Sequence, residues 1–304
     1  MKKIIIDVLG SDLGPEELKK GVIEAAKLHP DISFVLAGGS AASFECLPAT
    51  DYIRPDEPAM SIFKGRDDSS MAMALNYLKD DPDCIGLLSA GNTGALMVGS
   101  IFRLGLKQGL KTPALSTLLP NTKGGMTTLV DCGANVNIEA ANLKDFALLG
   151  SEFASRMFAI EKPRVALLNV GREEGKGNAL SAEAYGLLKA LDEEGRIHFI
   201  GNAEGYDIIS GYADVIVCDG FAGNIVLKLT EAVGKTALQI VNEAKEKTPS
   251  DGWNEVSGKL TDLFVFNERG GATFLGTAKP VIKMHGCATK DTVVSCVDQL
   301  LRIS

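Results

Sequence analysis

Short apolar runs that end in glycine-rich loops recur along this chain and constrain its fold more than any other feature. Residues 164–169 form one such run, and the loop Gly171–Asn178 (Gly-Arg-Glu-Glu-Gly-Lys-Gly-Asn) follows it directly. Similar runs lead into the loops Ser89–Gly94 and Asp219–Asn224. Near-continuous apolar strands that alternate with helical patterns are typical of α/β proteins with a mostly parallel sheet. The sequence therefore predicts an α/β fold of this kind.

The same alternation predicts individual elements. Strands are expected at 3–8, 33–37, 84–88, 114–119, 126–130, 164–169, 197–200, 214–217 and 280–283. Helices are expected near 16–28, 70–78, 91–104, 142–157, 223–247 and 290–301. Residues 40–56 carry a weak pattern and are interpreted as a loop or a degraded strand pair, and residues 270–276 are glycine-rich. Because no linker is evident, residues 1–304 are predicted to form a single α/β domain, with two lobes as the open alternative.

Composition excludes several classes of function. The net charge of −8 and the absence of a Lys/Arg block argue against a nucleic-acid partner. Six cysteines show neither CxxC nor zinc spacing, so reduced, buried thiols are expected and no metal or cofactor is predicted. No signal peptide is evident, and no apolar run approaches the ~18–20 residues of a membrane span. A soluble, cytoplasmic protein is expected.

The glycine-rich loops are suited to binding a phosphate-sized anion. Glycine lets backbone N–H groups converge, Lys176 supplies positive charge, and helix N-termini attract anions. Ligands of parallel sheets bind at the carboxyl ends of the strands, so the three loops are expected to form one composite site. The loop 171–178 is one residue shorter than a P-loop and lacks its Ser/Thr, which argues against an NTPase. The alternatives are an ordinary strand-to-helix turn at 171–178 and an Asn224 that only caps its helix.

A few other side chains are candidates for chemistry. His285 follows a predicted strand and precedes a glycine, so it is a candidate acid or base. Cys132 and Cys218 lack a diagnostic base partner and are interpreted as buried thiols. Arg172, Glu173 and Glu174 are interpreted as solvated or paired with one another.

Several motifs together resemble the PlsX family of bacterial phosphate acyltransferases over nearly the whole chain. The matching stretches are 69–71, 89–97, 113–115, 131–135, 167–171, 173–178, 199–202, 219–221, 223–224, 280–283 and 285–286. The resemblance implies a three-layer isocitrate/isopropylmalate-dehydrogenase-like fold and a homodimer. It also implies formation of acyl phosphate from acyl-[acyl carrier protein] and inorganic phosphate, a step of phospholipid biosynthesis.

The resemblance and the loops together select the expected site residues. The predicted catalytic residues are Lys176, Asn224 and His285. The predicted substrate-binding residues are Ser89, Gly91, Asn92, Thr93, Asn135, Gly175, Gly177, Asn178, Asp219, Gly220 and Gly223. A phosphate oxygen would attack the thioester carbonyl, with Asn224 or Asn92 stabilising the oxyanion and His285 or Lys176 protonating the thiolate.

The sequence departs from the family at some positions. Leu13 stands where the family has histidine, Arg172 replaces a usual threonine, and the basic stretch at 59–66 is diluted. The region before Gly270 is shorter than in typical members, so at most peripheral membrane contact is expected. A phosphotransacylase that uses acetyl- or short-chain acyl-CoA, and an inactive homologue that binds acyl carrier protein or phosphate, stay open as alternatives. An NAD-dependent dehydrogenase would need an aspartate cluster and an arginine set that the sequence lacks.

Overall fold

A computed structural model of the chain describes residues 1–41, 43–248, 250, 252–265 and 270–304. The chain divides into two compact units. Unit 1 comprises residues 1–113 and 267–304, and unit 2 comprises residues 114–266.

Unit 1 contains a sheet with strand order β3-β2-β1-β4-β11-β10, in which only β10 runs antiparallel to its neighbour β11. Its strands are β1 (Lys3–Asp7), β2 (Ser33–Ala37), β3 (Glu45–Leu47), β4 (Cys84–Ser89), β10 (Ala272–Leu275) and β11 (Val281–Lys283). Its helices are α1 (Pro15–Leu28), a 3₁₀ turn (Ala59–Phe63), α2 (Ser70–Asp80), α3 (Thr93–Gly99) with a π turn (Ser100–Leu104), and α9 (Lys290–Ile303). Ile4, Ile5 and Ile6 are completely buried, as expected for a central parallel strand covered on both faces.

Unit 2 contains a sheet with strand order β5-β6-β9-β7-β8, parallel except for the β5–β6 hairpin. Its strands are β5 (Ala114–Pro120), β6 (Met126–Val130), β7 (Arg164–Leu168), β8 (His198–Ala203) and β9 (Val215–Val217). Its helices are α4 (Ala140–Phe158), α5 (Ala179–Glu193), α6 (Asp207–Ser210), α7 (Gly220–Lys247) and α8 (Gly252–Phe264). Phe146 on α4 is the largest completely buried side chain of this unit.

Several expected elements need correction. The predicted helix 91–104 begins at Thr93 and changes to a π turn at Ser100. The weakly patterned segment 40–56 contains the short strand β3, and the glycine-rich segment 270–276 contains β10. The sequence analysis did not predict α8, which has no buried residue. Among the described residues, no helix is long and apolar enough to cross a membrane. The statement that residues 1–304 form a single domain stays a prediction.

Candidate active site

The loop between β7 and α5 is held in a fixed shape by its own side chains. Asn169 Nδ2 donates to the Lys176 carbonyl oxygen at 2.9 Å, and Asn169 Oδ1 accepts from Val170 N at 2.8 Å. Gly177 has a φ of 98°, and a Cβ at this position would overlap Asn169 Oδ1. Gly177 is therefore required by the turn, whereas nothing lies within 4 Å of a Cβ placed on Gly175.

Asn178 begins α5 as its N-cap. Its Oδ1 accepts from Ser181 N at 2.9 Å, and Asn178 N donates to Ser181 Oγ at 3.1 Å. The side-chain oxygen is thus used by the capping box, and within the described residues the Nδ2 group makes no hydrogen bond. Asn178 can donate Nδ2 to a ligand while it caps the helix.

The positive charges of this region differ in how they are paired. Arg172 binds the buried Asp207 through two hydrogen bonds, of 2.5 and 3.2 Å, and stacks over Tyr212 at 4.7 Å. Arg172 is exposed, as expected, but its ion-pair partner is the buried Asp207 and the expected pairing with Glu173 or Glu174 is wrong. Lys176 Nζ lies 4.0 Å from Glu173 Oε1 and is half exposed, so its charge is weakly compensated.

The N-terminus of α7 packs tightly against the loop that follows β6. Asp219 Oδ1 accepts from Ala222 N at 2.9 Å and caps the helix, so Asn224 is not the cap. Gly220 N donates to the Asn135 carbonyl oxygen at 2.8 Å, and a Cβ on Gly223 would overlap the Asp131 carbonyl oxygen. Both glycines are required for this close approach. The structure gives them a packing role in the site.

Asp131 organises the loop on which α7 rests. Its completely buried carboxylate accepts hydrogen bonds from the N–H groups of Leu115, Gly133, Ala134 and Asn135 and from Asn135 Nδ2, at 2.7–3.2 Å. Burial raises the pKa of Asp131, and these donors oppose the shift by stabilising the anion. The Asn224 side chain lies 3.5 Å from a Cβ placed on Gly133. It is exposed, and its amide makes no hydrogen bond within the described part of the chain.

A cleft of about 560 Å³ lies at the carboxyl ends of β7 and β9 in unit 2. Its apolar wall includes Leu143, Leu167 and Leu180, and its polar rim includes Asn178 and Asp219. The N-termini of α5 and α7 both border it, so two helix dipoles favour an anion here. Two helix N-termini next to an apolar wall suit a ligand with an anionic part and an apolar part.

A second cleft, of about 340 Å³, lies in unit 1 and contains the predicted residues Gly91, Asn92 and Thr93. Ser89 is completely buried below it, where its Oγ donates to Asp7 Oδ2 at 2.7 Å and accepts from Gly91 N at 3.1 Å. Ser89 therefore holds the cleft residue Gly91 in place through a buried hydrogen bond.

The Asn92 side chain has a structural role. Its Nδ2 donates to the carbonyl oxygens of Arg54, Pro55 and Glu57, and its Oδ1 caps α3 by accepting from Ala95 N at 2.9 Å. The side-chain amide ties the loop 54–57 to the start of α3. Of the two asparagines predicted as oxyanion donors, Asn224 is the one whose amide is available.

His285 lies in the loop after β11, as predicted, and its ring is exposed. Its Nδ1 accepts from Cys287 N at 3.3 Å and lies 2.9 Å from Cys287 Sγ. Cys287 is exposed and Cys46 is half-buried, so the expectation of buried thiols is wrong for these two. Cys132 and Cys218 are buried, and burial raises the pKa of both thiols, which makes them poor nucleophiles.

The sequence analysis did not select Asp7 and Lys283 as site residues. Asp7 is buried at the end of β1, and Lys283 lines the unit 1 cleft at the end of β11. Both residues end predicted strands, so their position could have identified them as candidate site residues.

Comparison with known proteins gives relatives in sequence and neighbours in fold. The sequence model of the family described as "Fatty acid synthesis protein" matches residues 2–303. The phosphate acyltransferase of Thermoanaerobacter pseudethanolicus is 38% identical, over 98% of this chain and 92% of that protein.

Two solved structures are similar in fold. The branched-chain phosphotransacylase of Enterococcus faecalis V583 aligns with a TM-score of 0.63 at 14% identity, over 100% of this chain and 99% of the other. The 4-hydroxythreonine-4-phosphate dehydrogenase of Klebsiella pneumoniae aligns with a TM-score of 0.53 at 12% identity, over 99% and 98%. The predicted dehydrogenase-like α/β fold with a mostly parallel sheet is confirmed.

Proposed function

This chain belongs to the Fatty acid synthesis protein family, and from that premise we propose that it transfers an acyl group from acyl-[acyl carrier protein] to inorganic phosphate. The product would be an acyl phosphate for phospholipid biosynthesis. The relative at 38% identity is named a phosphate acyltransferase, which supports acyl transfer as the reaction class. We also propose a cytoplasmic enzyme that needs no cofactor.

The observation that carries the proposal is the arrangement around the unit 2 cleft. Two helix N-termini border it, and Lys176 stands in the loop that leads into one of them with its charge weakly compensated. Phosphate is anionic, so it fits N–H donors, the helix dipoles and one cation. The apolar wall beside Asn178 and Asp219 offers room for the acyl group.

The chemistry then needs few protein groups. A phosphate oxygen attacks the thioester carbonyl carbon, and positioning supplies most of the acceleration because phosphate is already nucleophilic at neutral pH. The Asn224 amide, which makes no hydrogen bond within the described residues, can donate to the developing oxyanion. One such donor is worth about 3–4 kcal/mol of barrier.

A homodimer is part of the proposal. α7 presents Ile225, Leu229, Val233 and Ile240 on one face, with exposed fractions of 48–61%. Large apolar side chains at this helical spacing are usually covered in the functional state. A second copy of the chain would cover them.

The test is acyl phosphate formation by wild type and by Lys176→Ala, with palmitoyl-acyl carrier protein or acetyl-CoA as donor. We expect Lys176→Ala to lower kcat/KM for phosphate by about 10²–10³-fold, as loss of an electrostatic group at the transition state does. Lys189→Ala is the matched control, because Lys189 is equally exposed but pairs with Glu174 at 3.4 Å.

The acyl donor that gives product distinguishes the proposed function from its alternatives. Product from the carrier-protein thioester supports the proposal, and product from acetyl-CoA alone assigns a short-chain phosphotransacylase. Folded wild-type protein without any product contradicts the proposed activity, and binding of phosphate or acyl carrier protein by that protein then assigns an inactive homologue. Normal turnover of Lys176→Ala contradicts the role of Lys176.

A further inference from the structure

The lining of the unit 2 cleft changes from exposed residues at its rim to buried residues at its floor. Val170 is 82% exposed and Asn178 is also exposed, so these two residues lie at the rim. Leu143, Leu167 and Cys218 are only 1–3% exposed, and they form the floor. A ligand that enters from solvent therefore meets the rim first and the floor last.

The three floor residues offer no free polar side-chain group to a ligand. Leu143 and Leu167 are aliphatic, and the Cys218 thiol donates to the Asp131 carbonyl oxygen, with 3.3 Å between the sulfur and the oxygen. A charged or polar group would lose its water at the floor without gaining a hydrogen bond from these side chains, which is unfavourable. The floor therefore suits the apolar end of a ligand, and the anionic end stays near the rim.

Leu180 lies between the rim and the floor, beside donors for the anionic end. It is half-buried and is the second residue of α5. The capping box uses the N–H groups of Asn178 and Ser181, whereas those of Ala179 and Leu180 have no acceptor in the described parts of the chain. The acyl carbon of an acyl phosphate is bonded to a phosphate oxygen. A phosphate held by these two N–H groups thus places the start of the acyl chain next to the Leu180 side chain.

Ala222 lines the same cleft from the first turn of α7 with a single methyl group. Its backbone N–H donates to Asp219 Oδ1 at 2.9 Å, which fixes the position of the residue. Phe221 and Ile225 on the same helix are large and exposed, and they do not line the cleft. The small side chain thus occurs where α7 borders the cleft, and the space that a larger one would fill stays open to a ligand.

We propose that Leu180 and Ala222 are specificity-determining residues for the acyl group; this inference rests on the proposed function. Leu180 supplies apolar contact to the methylene groups that follow the carbonyl carbon. Ala222 leaves the space through which the rest of the chain reaches the floor. The two residues therefore set how strongly the rate depends on acyl chain length.

The test measures kcat/KM for acetyl, butanoyl, hexanoyl and octanoyl thioesters of one carrier, either acyl carrier protein or CoA, on which wild type forms acyl phosphate. We expect each methylene group that the cleft covers to raise kcat/KM of wild type by about fourfold. Leu180→Ala should lower kcat/KM for the octanoyl donor by about tenfold, because contact is lost. Ala222→Leu should lower it by about 10–100-fold, because the space is filled. Both variants should retain the acetyl rate within about threefold.

Each variant has a matched control. Leu187→Ala removes an equally half-buried leucine from the same helix, at a position that does not line the cleft. It causes a similar loss of packing and should leave the dependence on chain length unchanged. Ala222→Ser keeps a small side chain at position 222 and should retain the wild-type dependence.

Other roles give other results. A purely structural role, or a role in phosphate binding alone, lowers the rates of all four donors by the same factor, and this result overturns the assignment. A wild-type dependence on chain length in both variants also overturns it. If Leu180→Ala or Ala222→Leu does not fold, Leu180→Val and Ala222→Val take their places, with smaller effects in the same directions.

The two proposals fail in different ways. Wild-type protein that forms no acyl phosphate from any thioester overturns the proposed function and the roles of Leu180 and Ala222 with it. Active wild-type protein whose dependence on chain length survives both substitutions overturns the roles of these two residues alone.

Discussion

Replacing Asp131 with asparagine should destabilise unit 2 by an amount that its hydrogen bonds determine. Oδ1 of Asp131 accepts three N–H groups, and Oδ2 accepts Asn135 N and Asn135 Nδ2. If the amide oxygen of Asp131→Asn takes the position of Oδ1, its NH₂ group faces two donors, and two hydrogen bonds to a charged group are lost. Each is worth about 1.5–3 kcal/mol, which gives about 3–6 kcal/mol in total.

Because Asp131 is desolvated in the folded protein, we expect a loss of stability at the lower end of that range. Burial raises the pKa of this carboxyl, so its charged form is already penalised in the folded state, and the neutral amide avoids that penalty. We therefore expect a loss of about 3 kcal/mol, which lowers Tm by about 6–12 °C for a domain of about 150 residues.

The assay is thermal unfolding followed by circular dichroism at pH 7. Two substitutions serve as controls: Glu183→Gln removes an exposed carboxylate of the same unit, and Asp219→Asn keeps a good N-cap on α7. Both should leave Tm nearly unchanged. If Asp131→Asn unfolds within about 2 °C of wild type, the view that this carboxylate holds the loop 131–135 in place is refuted.

Two further predictions concern titratable groups in unit 1. Cys287 is the exposed one among the six cysteines, so a thiol reagent should modify one thiol rapidly in the native protein, and Cys287→Ser should abolish that fast phase; several fast thiols would contradict it. Burial raises the pKa of Asp7 to about 6, above its unfolded value, so its contribution to stability is complete below pH 4 and is lost as pH rises through 6. Relative to Asp7→Asn, the free energy of unfolding of wild type should fall by about 3 kcal/mol over that range, as measured by urea denaturation of both proteins at each pH; parallel curves would contradict it.

Sequence patterns were sufficient to predict those elements whose determining residues are adjacent in the chain. The run Ile4–Ile6 and the strand-to-helix loops could be identified because their apolar residues and glycines are adjacent in sequence. α8 could not be predicted in this way. It buries no residue, and it is held against α7 by a close approach in which a Cβ on Gly234 would overlap Phe264. That contact joins two segments that are distant in sequence.

The same difference separates Lys176 from Lys283. Lys176 lies among three glycines of one loop, so the loop composition alone indicates an anion site there. Lys283 is aligned with Ser89 and Asp7, almost 200 and almost 280 residues earlier in the chain, through the register of three strands. Placing predicted strands in their parallel order, and then asking which polar residues end neighbouring strands, would have brought these three together. Strand ends are therefore better searched as rows across the sheet than as motifs along the chain.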